Sequence, residues 1–310
     1  MCLRLTVSHQ SWVCVLQFAL MRRFFAPQTG LVNILENHMN NLQLDSKALA
    51  LRIRIQALQM VFRARASHIG SALSICDIIA VLYGQVLRID PKQPEAPQRD
   101  RFILSKGHAC VAVYAALAET GFFPTEDLLN YGQDHSVLMN HISHKVAGVE
   151  FSTGSLGHGL PFGTGKALAA KRSHKKWRTY VLLSDGELGE GSNWEAMMFA
   201  AHHQLDNLVA IIDYNKLQSL TTVDKTLRIE PLSDKAKAFG WAVREVDGHD
   251  HEMISDLLNS TPWEPGKPSF LIANTIKGKG VSFMENSVDW HYKSPSSEQL
   301  ALAIGELNHA

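Results

Sequence analysis

Apolar positions along the chain fall into short continuous runs alternating with stretches of helical spacing. Tyr180 to Leu183 (YVLL) and Leu208 to Ile212 (LVAII) are runs of the kind made by strands buried on both faces, and Glu195 to Gln204 between them reads as helix. Phe102 to Leu104, Trp241 to Val246 and Ser269 to Asn274 are further candidate strands, the last two separated by a helix near Met253 to Leu258. Upstream, Leu49, Ile53, Leu58, Met60 and Val61 recur near helical spacing and predict a long helix through Ala66, capped by Asp45 or Ser46. A second helix is expected over Leu73 to Leu87, a loop over the proline-rich Asp90 to Pro97, and helices over Val111 to Glu119 and Ser296 to Ala310. Gly154 to Gly165 is rich in glycine and reads as a loop opening onto a helix around Lys166 to Arg172. Strands alternating with helices predict a doubly wound, mostly parallel α/β sheet with helices on both faces.

Composition narrows the class. At 310 residues the chain can bury a large core, and it suits one large α/β domain over 41–310 better than two small ones. Lys plus Arg and Asp plus Glu both number 30, so there is no basic surplus of the kind a nucleic-acid partner requires. The four cysteines, Cys2, Cys14, Cys76 and Cys110, have neither Cys-x-x-Cys spacing nor the density of a secreted disulfide scaffold, which fits a reducing cytoplasm. Trp12 to Met21 is apolar but too short to span a bilayer, and Arg22 and Arg23 follow where a secretory signal would carry small residues. Residues 1–40 are therefore expected to be an irregular leader, with Met39 or Met21 as candidate natural starts.

The chemistry is concentrated where two strands should end. A strand, helix and strand of this length make a right-handed parallel crossover, which brings both carboxyl ends to one edge of the sheet, where ligands of open α/β sheets bind. Asp185 follows the first strand and Asn215 the second, within SDGELGEGSNWEA and IIDYNKLQS. An acid and a carboxamide so placed suit Mg²⁺, which takes oxygen ligands and shares them among a few protein groups, water and substrate phosphates. Gly186 permits close approach of backbone to a phosphate. An ordinary Asp-Gly turn is the competing reading for that dipeptide alone.

The constellation Asp185, Gly186, Glu190, Glu195 and Asn215 resembles the thiamine diphosphate motif, with Ser184 standing where that motif usually begins with glycine. ASHIGSALS, FILSKGHA, GVEFSTGSLGHGL and KGKGVSFMENSVDWH resemble, in order, segments of the N-terminal half of the transketolase family, and the likeness extends over roughly residues 46–300. It implies thiamine diphosphate and Mg²⁺ as cofactors, with Asp185, Asn215 and the Leu217 carbonyl on the metal. His108, His291, Gly154, Leu156, Gly186 and Asn215 would contact the cofactor. His68, His108, His141 and His291 would be the catalytic histidines, with His144 competing with His141. His158 replaces the family's glutamine, and Glu190 and Glu195 match acidic residues near a subunit interface; solvated charges on a helix's first turns are the alternative for both.

The same resemblance implies an activity and a partner. The family transfers a two-carbon ketol unit between sugar phosphates, the cofactor supplying the carbon nucleophile while the protein positions, protonates and excludes water. The pyrimidine-binding and C-terminal domains of a full-length transketolase have no counterpart in these 310 residues. A separately encoded C-terminal subunit is thus implied, in a heterotetramer or around a dimer of this chain, with neither nucleic acid nor membrane as partner. Alternatives are the first part of a deoxyxylulose phosphate synthase-like enzyme and a non-catalytic thiamine diphosphate-binding regulatory subunit.

Overall fold

The computed structural model describes residues 45–309; the leader and its candidate start sites lie outside the described residues. Helix α1 (Ser46–Ala64) is capped by Asp45, whose carboxylate accepts from the Lys47 and Ala48 amides, and it ends at Arg65 in the left-handed conformation. The helix expected over Leu73 to Leu87 is instead three pieces: α2 (Ile69–Leu73), α3 (Cys76–Val81) and a π-helical turn over Leu82–Val86. Its apolar residues are nearly all buried, so hydrophobic pattern alone could not show the interruption at Ile75, where φ is −105° and ψ is 0°.

Strand β1 (Arg101–Leu104) leads through a 3₁₀ turn into α4 (Cys110–Glu119). Next come α5 (Gly159–Arg172), β2 (Thr179–Ser184), α6 (Gly191–His202) and β3 (Leu208–Tyr214). The short α7 (Val223–Thr226) and α8 (Leu232–Ala238) precede β4 (Ala242–Asp247), α9 (His251–Asn259), β5 (Ser269–Asn274) and α10 (Ser297–Asn308). A capping box formed by Ser296 and Gln299 starts α10.

The strands form one sheet in the order β1-β2-β3-β5-β4, and every pair is parallel. Alternation along the strands divides the core in two. Phe102, Leu104, Tyr180, Leu182, Val209, Ile211 and Leu271 join Leu49 and Ile53 of α1, Ile78 of α3, Val113 of α4 and Ile254 of α9. Ile103, Val181, Leu183, Ala210, Ile212 and Phe270 join Leu160 of α5, Met197 of α6 and Ala236 of α8. Each such aliphatic side chain, fully buried, contributes about 1.5–3 kcal/mol, which is why both faces of the sheet are covered. This is the doubly wound arrangement expected from the sequence.

One correction concerns the glycine-rich segment. Gly154 to Gly165 is not a continuous loop, because α5 already begins at Gly159. A Cβ at Gly159 would lie 2.3 Å from Ser105 Oγ and one at Gly163 2.5 Å from Val181 Cγ2, so these two glycines let the helix lie close on the sheet.

Candidate active site

The parallel register aligns Ser184 with Asp213, so the residues after them emerge at the same edge. There Asp185 and Asn215 line one cavity of about 260 Å³. Its walls also include Gly186 and Leu217 from the same two loops, and Gly154 and Leu156 from the segment before α5. His68 comes from the turn before α2, His108 from the turn after β1, His141 from the α4–α5 connection and His291 from the segment before α10. All ten candidate site residues thus meet in one place. His144 does not line the cavity and is bonded to Ser152 Oγ through its amide at 2.9 Å and through its ring Nδ1 at 2.7 Å. His158 is exposed, with Nδ1 3.0 Å from the Leu156 carbonyl oxygen. Glu190 precedes α6 and Glu195 lies on it, both exposed.

The histidines form a cluster centred on His68, whose ring centroid lies 5.0 Å from His108, 5.0 Å from His291 and 5.9 Å from His141. His68 has φ of 71°, a conformation that costs a non-glycine residue energy, and its amide donates to the His291 carbonyl at 2.7 Å. Burial first, then His141, Lys277 and Lys106, lower His68 to about 4. Burial, then Lys277 and His68, take His291 to about 3, and burial with Lys106 holds His108 well below its ordinary value. The rings are therefore neutral near pH 7, each with one bare nitrogen that can accept a hydrogen bond and one N–H that can donate. Gly107 beside His108 is held against the Thr153 carbonyl so tightly that a Cβ would sit 2.3 Å from that oxygen.

Three residues that hydropathy reads as surface positions are buried at or beside the cavity. Lys106 is buried and its Nζ donates to Asp213 Oδ2 at 2.5 Å and to the Ser71 carbonyl at 3.0 Å. Burial opposes ionisation of Asp213, but Lys106 and hydrogen bonds from Thr275 and Ser74 leave its carboxyl below the usual range. Lys277, equally buried, donates to the carbonyls of Gln218 at 3.0 Å and Leu217 at 3.3 Å and lies 3.1 Å from His291 Nδ1. Burial, followed by the neighbouring Lys106 charge, lowers it to about 8.

Asp185 differs from Asp213. Its carboxylate accepts from the Gly186 amide at 2.7 Å and the Lys216 amide at 2.5 Å, and among the described residues no cationic side chain pairs with it. Burial and the Asp213 charge push it up to about 7. Among the described residues no group of three His, Cys, Asp or Glu side chains could hold a metal. The donor set at this edge is of another kind: one carboxylate, the Asn215 carboxamide and the Leu217 carbonyl, all oxygen. A buried carboxylate with no directly paired cation, beside neutral oxygens, fits a hard divalent cation that draws its remaining ligands from water and a bound phosphate.

An open parallel sheet with oxygen donors at its carboxyl edge and a histidine cluster beside them defines a class of α/β cofactor-binding domain. Residues 45–303 match the family described as transketolase, thiamine diphosphate binding domain. The chain is 46% identical over 267 residues to an apulose-4-phosphate transketolase subunit of Actinobacillus succinogenes, covering 86% of this chain and 96% of that protein. It is 40% identical over 270 residues to the 6-deoxy-6-sulfo-D-fructose transketolase subunit SqwG of a Clostridium species, covering 87% and 98%. Among solved structures, transketolase from Leishmania mexicana aligns with a TM-score of 0.80 at 29% identity, covering 86% of this chain and 42% of that one. Transketolase from Campylobacter jejuni aligns at 0.79 and 31%, covering 85% and 42%, so the chain spans about two fifths of these solved chains. The chain belongs to the transketolase family.

Proposed function

We propose that this chain is the thiamine diphosphate- and Mg²⁺-binding subunit of a heteromeric transketolase that transfers a two-carbon ketol unit between sugar phosphates. The observation that carries the reading is the convergence of ten residues from separate segments of the chain on one cavity around the Asp185 carboxylate, which pairs with no cationic side chain among the described residues. The relatives named as transketolase subunits, matched over nearly their whole length, support the two-chain form. Exposed Met198 and Phe199 on α6, beside Glu195, offer apolar surface for subunit contact.

In this reading Asp185, Asn215 and the Leu217 carbonyl hold Mg²⁺, while Gly186, Gly154, Leu156, His108 and His291 hold the cofactor. When bound, thiamine diphosphate supplies the carbon nucleophile and electron sink. His68 and His141 line the cavity as neutral rings able to accept a hydrogen bond from a substrate hydroxyl or donate one to its oxygen. The Lys277 ammonium, already aimed at two carbonyls of the Leu217–Gln218 turn, adds positive charge where a diphosphate would lie.

The test is reconstitution. Purified alone, the chain should show no ketol transfer. Mixed with a chain carrying the pyrimidine-binding domain, thiamine diphosphate and Mg²⁺, it should transfer a two-carbon unit from a ketose phosphate to an aldose phosphate. Absence of transfer across a panel of such sugars with a partner that binds the chain would overturn the reading.

A further inference from the structure

A second buried polar cluster lies outside the cavity. Asp77 of α3 is held by Arg54 of α1, with Nη1 3.0 Å from Oδ1 and Nη2 2.5 Å from Oδ2. His251 Nε2 lies 2.9 Å from Oδ1, and its other ring nitrogen is 2.8 Å from Ser46 Oγ. His249 completes the set, with Nδ1 2.7 Å from Asp77 Oδ2. Its second nitrogen, Nε2, accepts the backbone N–H of Ile276 at 2.9 Å. An N–H can be accepted only by a bare ring nitrogen, so the ring proton is on Nδ1 and is donated to Asp77; the two contacts together fix tautomer and orientation.

Ile276 lies two residues beyond the end of β5 and directly precedes Lys277. The Thr275 and Gly278 amides on either side are held by the Tyr214 carbonyl at 3.2 Å and the Gly70 carbonyl at 3.0 Å. Of the Thr275, Ile276 and Gly278 amides, that of Ile276 is the one accepted by a side chain. A half-buried backbone donor without its acceptor would turn toward water and shift the segment, and Lys277 would carry its ammonium away from the Leu217 and Gln218 carbonyls. We infer that His249, oriented by Asp77, is a positioning residue that sets the backbone at Ile276 and thereby the reach of Lys277 into the candidate active site. Its consequence for cofactor affinity rests on the proposed function; the positioning itself does not.

Two substitutions separate positioning from general support. Asparagine in His249→Asn places an amide nitrogen near the ring Nδ1 position, keeping a donor for Asp77 and removing the acceptor for Ile276. Glutamine in His249→Gln reaches the Nε2 position, where its carbonyl oxygen can accept that amide. Without cofactor, the Lys277 amine in the full chain should be acetylated roughly fivefold faster in His249→Asn than in wild type, and within about twofold of wild type in His249→Gln, read by mass spectrometry of the peptide. Calorimetry with thiamine diphosphate and Mg²⁺ should show affinity weakened about tenfold in His249→Asn and restored to within about threefold in His249→Gln. Wild-type labelling in both variants, or equal disturbance in both, would overturn the inference. If the wild-type chain takes up no cofactor while the labelling difference appears, the positioning stands and the cofactor reading of the cavity fails.

Discussion

Asp77 and Asp185 are both buried carboxylates, 5% and 1% exposed, yet they are pushed in opposite directions. For Asp77, burial raises the carboxyl, but His249, His251 and Arg54 outweigh it and hold the group well below the usual range. For Asp185, burial is reinforced by the Asp213 charge, two backbone amides and the nearby Lys106 charge offset only part of it, and the group rises to about 7. A carboxylate paired with cationic side chains ties the architecture together, whereas one held by backbone amides beside neutral oxygens is the arrangement that the proposed Mg²⁺ site would need. The fold keeps the two apart: Asp77 ties α1 and α3 to the loop before α9, whereas Asp185 stands at the carboxyl edge of the sheet.

Removing each carboxylate should therefore have opposite effects on the empty protein. Asp77→Ala strands the Arg54 guanidinium and should destabilise the chain by about 3–5 kcal/mol, measured by urea unfolding. Asp185→Ala relieves a buried group that its surroundings disfavour, so unfolding without ligand should be unchanged or shifted to higher urea. The ranking reverses when ligand is added. Asp185→Ala should weaken Mg²⁺-dependent thiamine diphosphate binding by at least about a hundredfold in calorimetry, because a charged oxygen ligand is lost and the diphosphate is left uncompensated. Unchanged cofactor affinity in that variant would sink the metal assignment.

The Asp185 side of this comparison was legible in the sequence and the Asp77 side was not. Strands β2 and β3 announce themselves as apolar runs, and once a parallel crossover is assumed Asp185 and Asn215 must meet at one edge. The histidines were placed by resemblance of whole segments, since fifteen histidines give no spacing that singles out four. Resemblance alone favours His141 over His144; that His141 lines the cavity and His144 does not is visible only in the structure, because the two are three residues apart in a connection without regular structure. Lys106, Asp213 and Lys277 were missed because hydropathy assigns such residues to the surface, and only tertiary pairing makes their burial tolerable. Asp77, with its partners far apart in the chain, was missed for the same reason. The helix α5 was truncated in prediction because glycine lowers helix propensity, whereas here Gly159 and Gly163 serve packing against Ser105 and Val181.

The smallest expected effect concerns pH, and it sharpens the contrast by setting the cavity's own groups against one another. His68 and His291 are lowered from an ordinary 6.5 to about 4 and about 3, chiefly by burial and then by nearby histidine and lysine charges. As pH falls from about 6.5 toward 4, the unfolded chain takes up protons that the folded chain refuses, so these groups make stability decline with acidification and contribute no slope above that window. Asp185 acts with the opposite sign. Raised from an ordinary 3.8 to about 7, it binds a proton in the folded state over that interval, so its contribution is present in acid and is lost as pH rises through 7. The two trends partly cancel in the wild-type chain without ligand. Urea unfolding of Asp185→Ala at pH 7, 6 and 5 should show a steeper loss of stability toward acid than wild type, by up to about one proton in slope, while His68→Asn and His291→Asn should flatten it. A slope unaltered by Asp185→Ala would mean that this carboxyl is already ionised throughout the interval, and that the empty site contains a compensating charge after all.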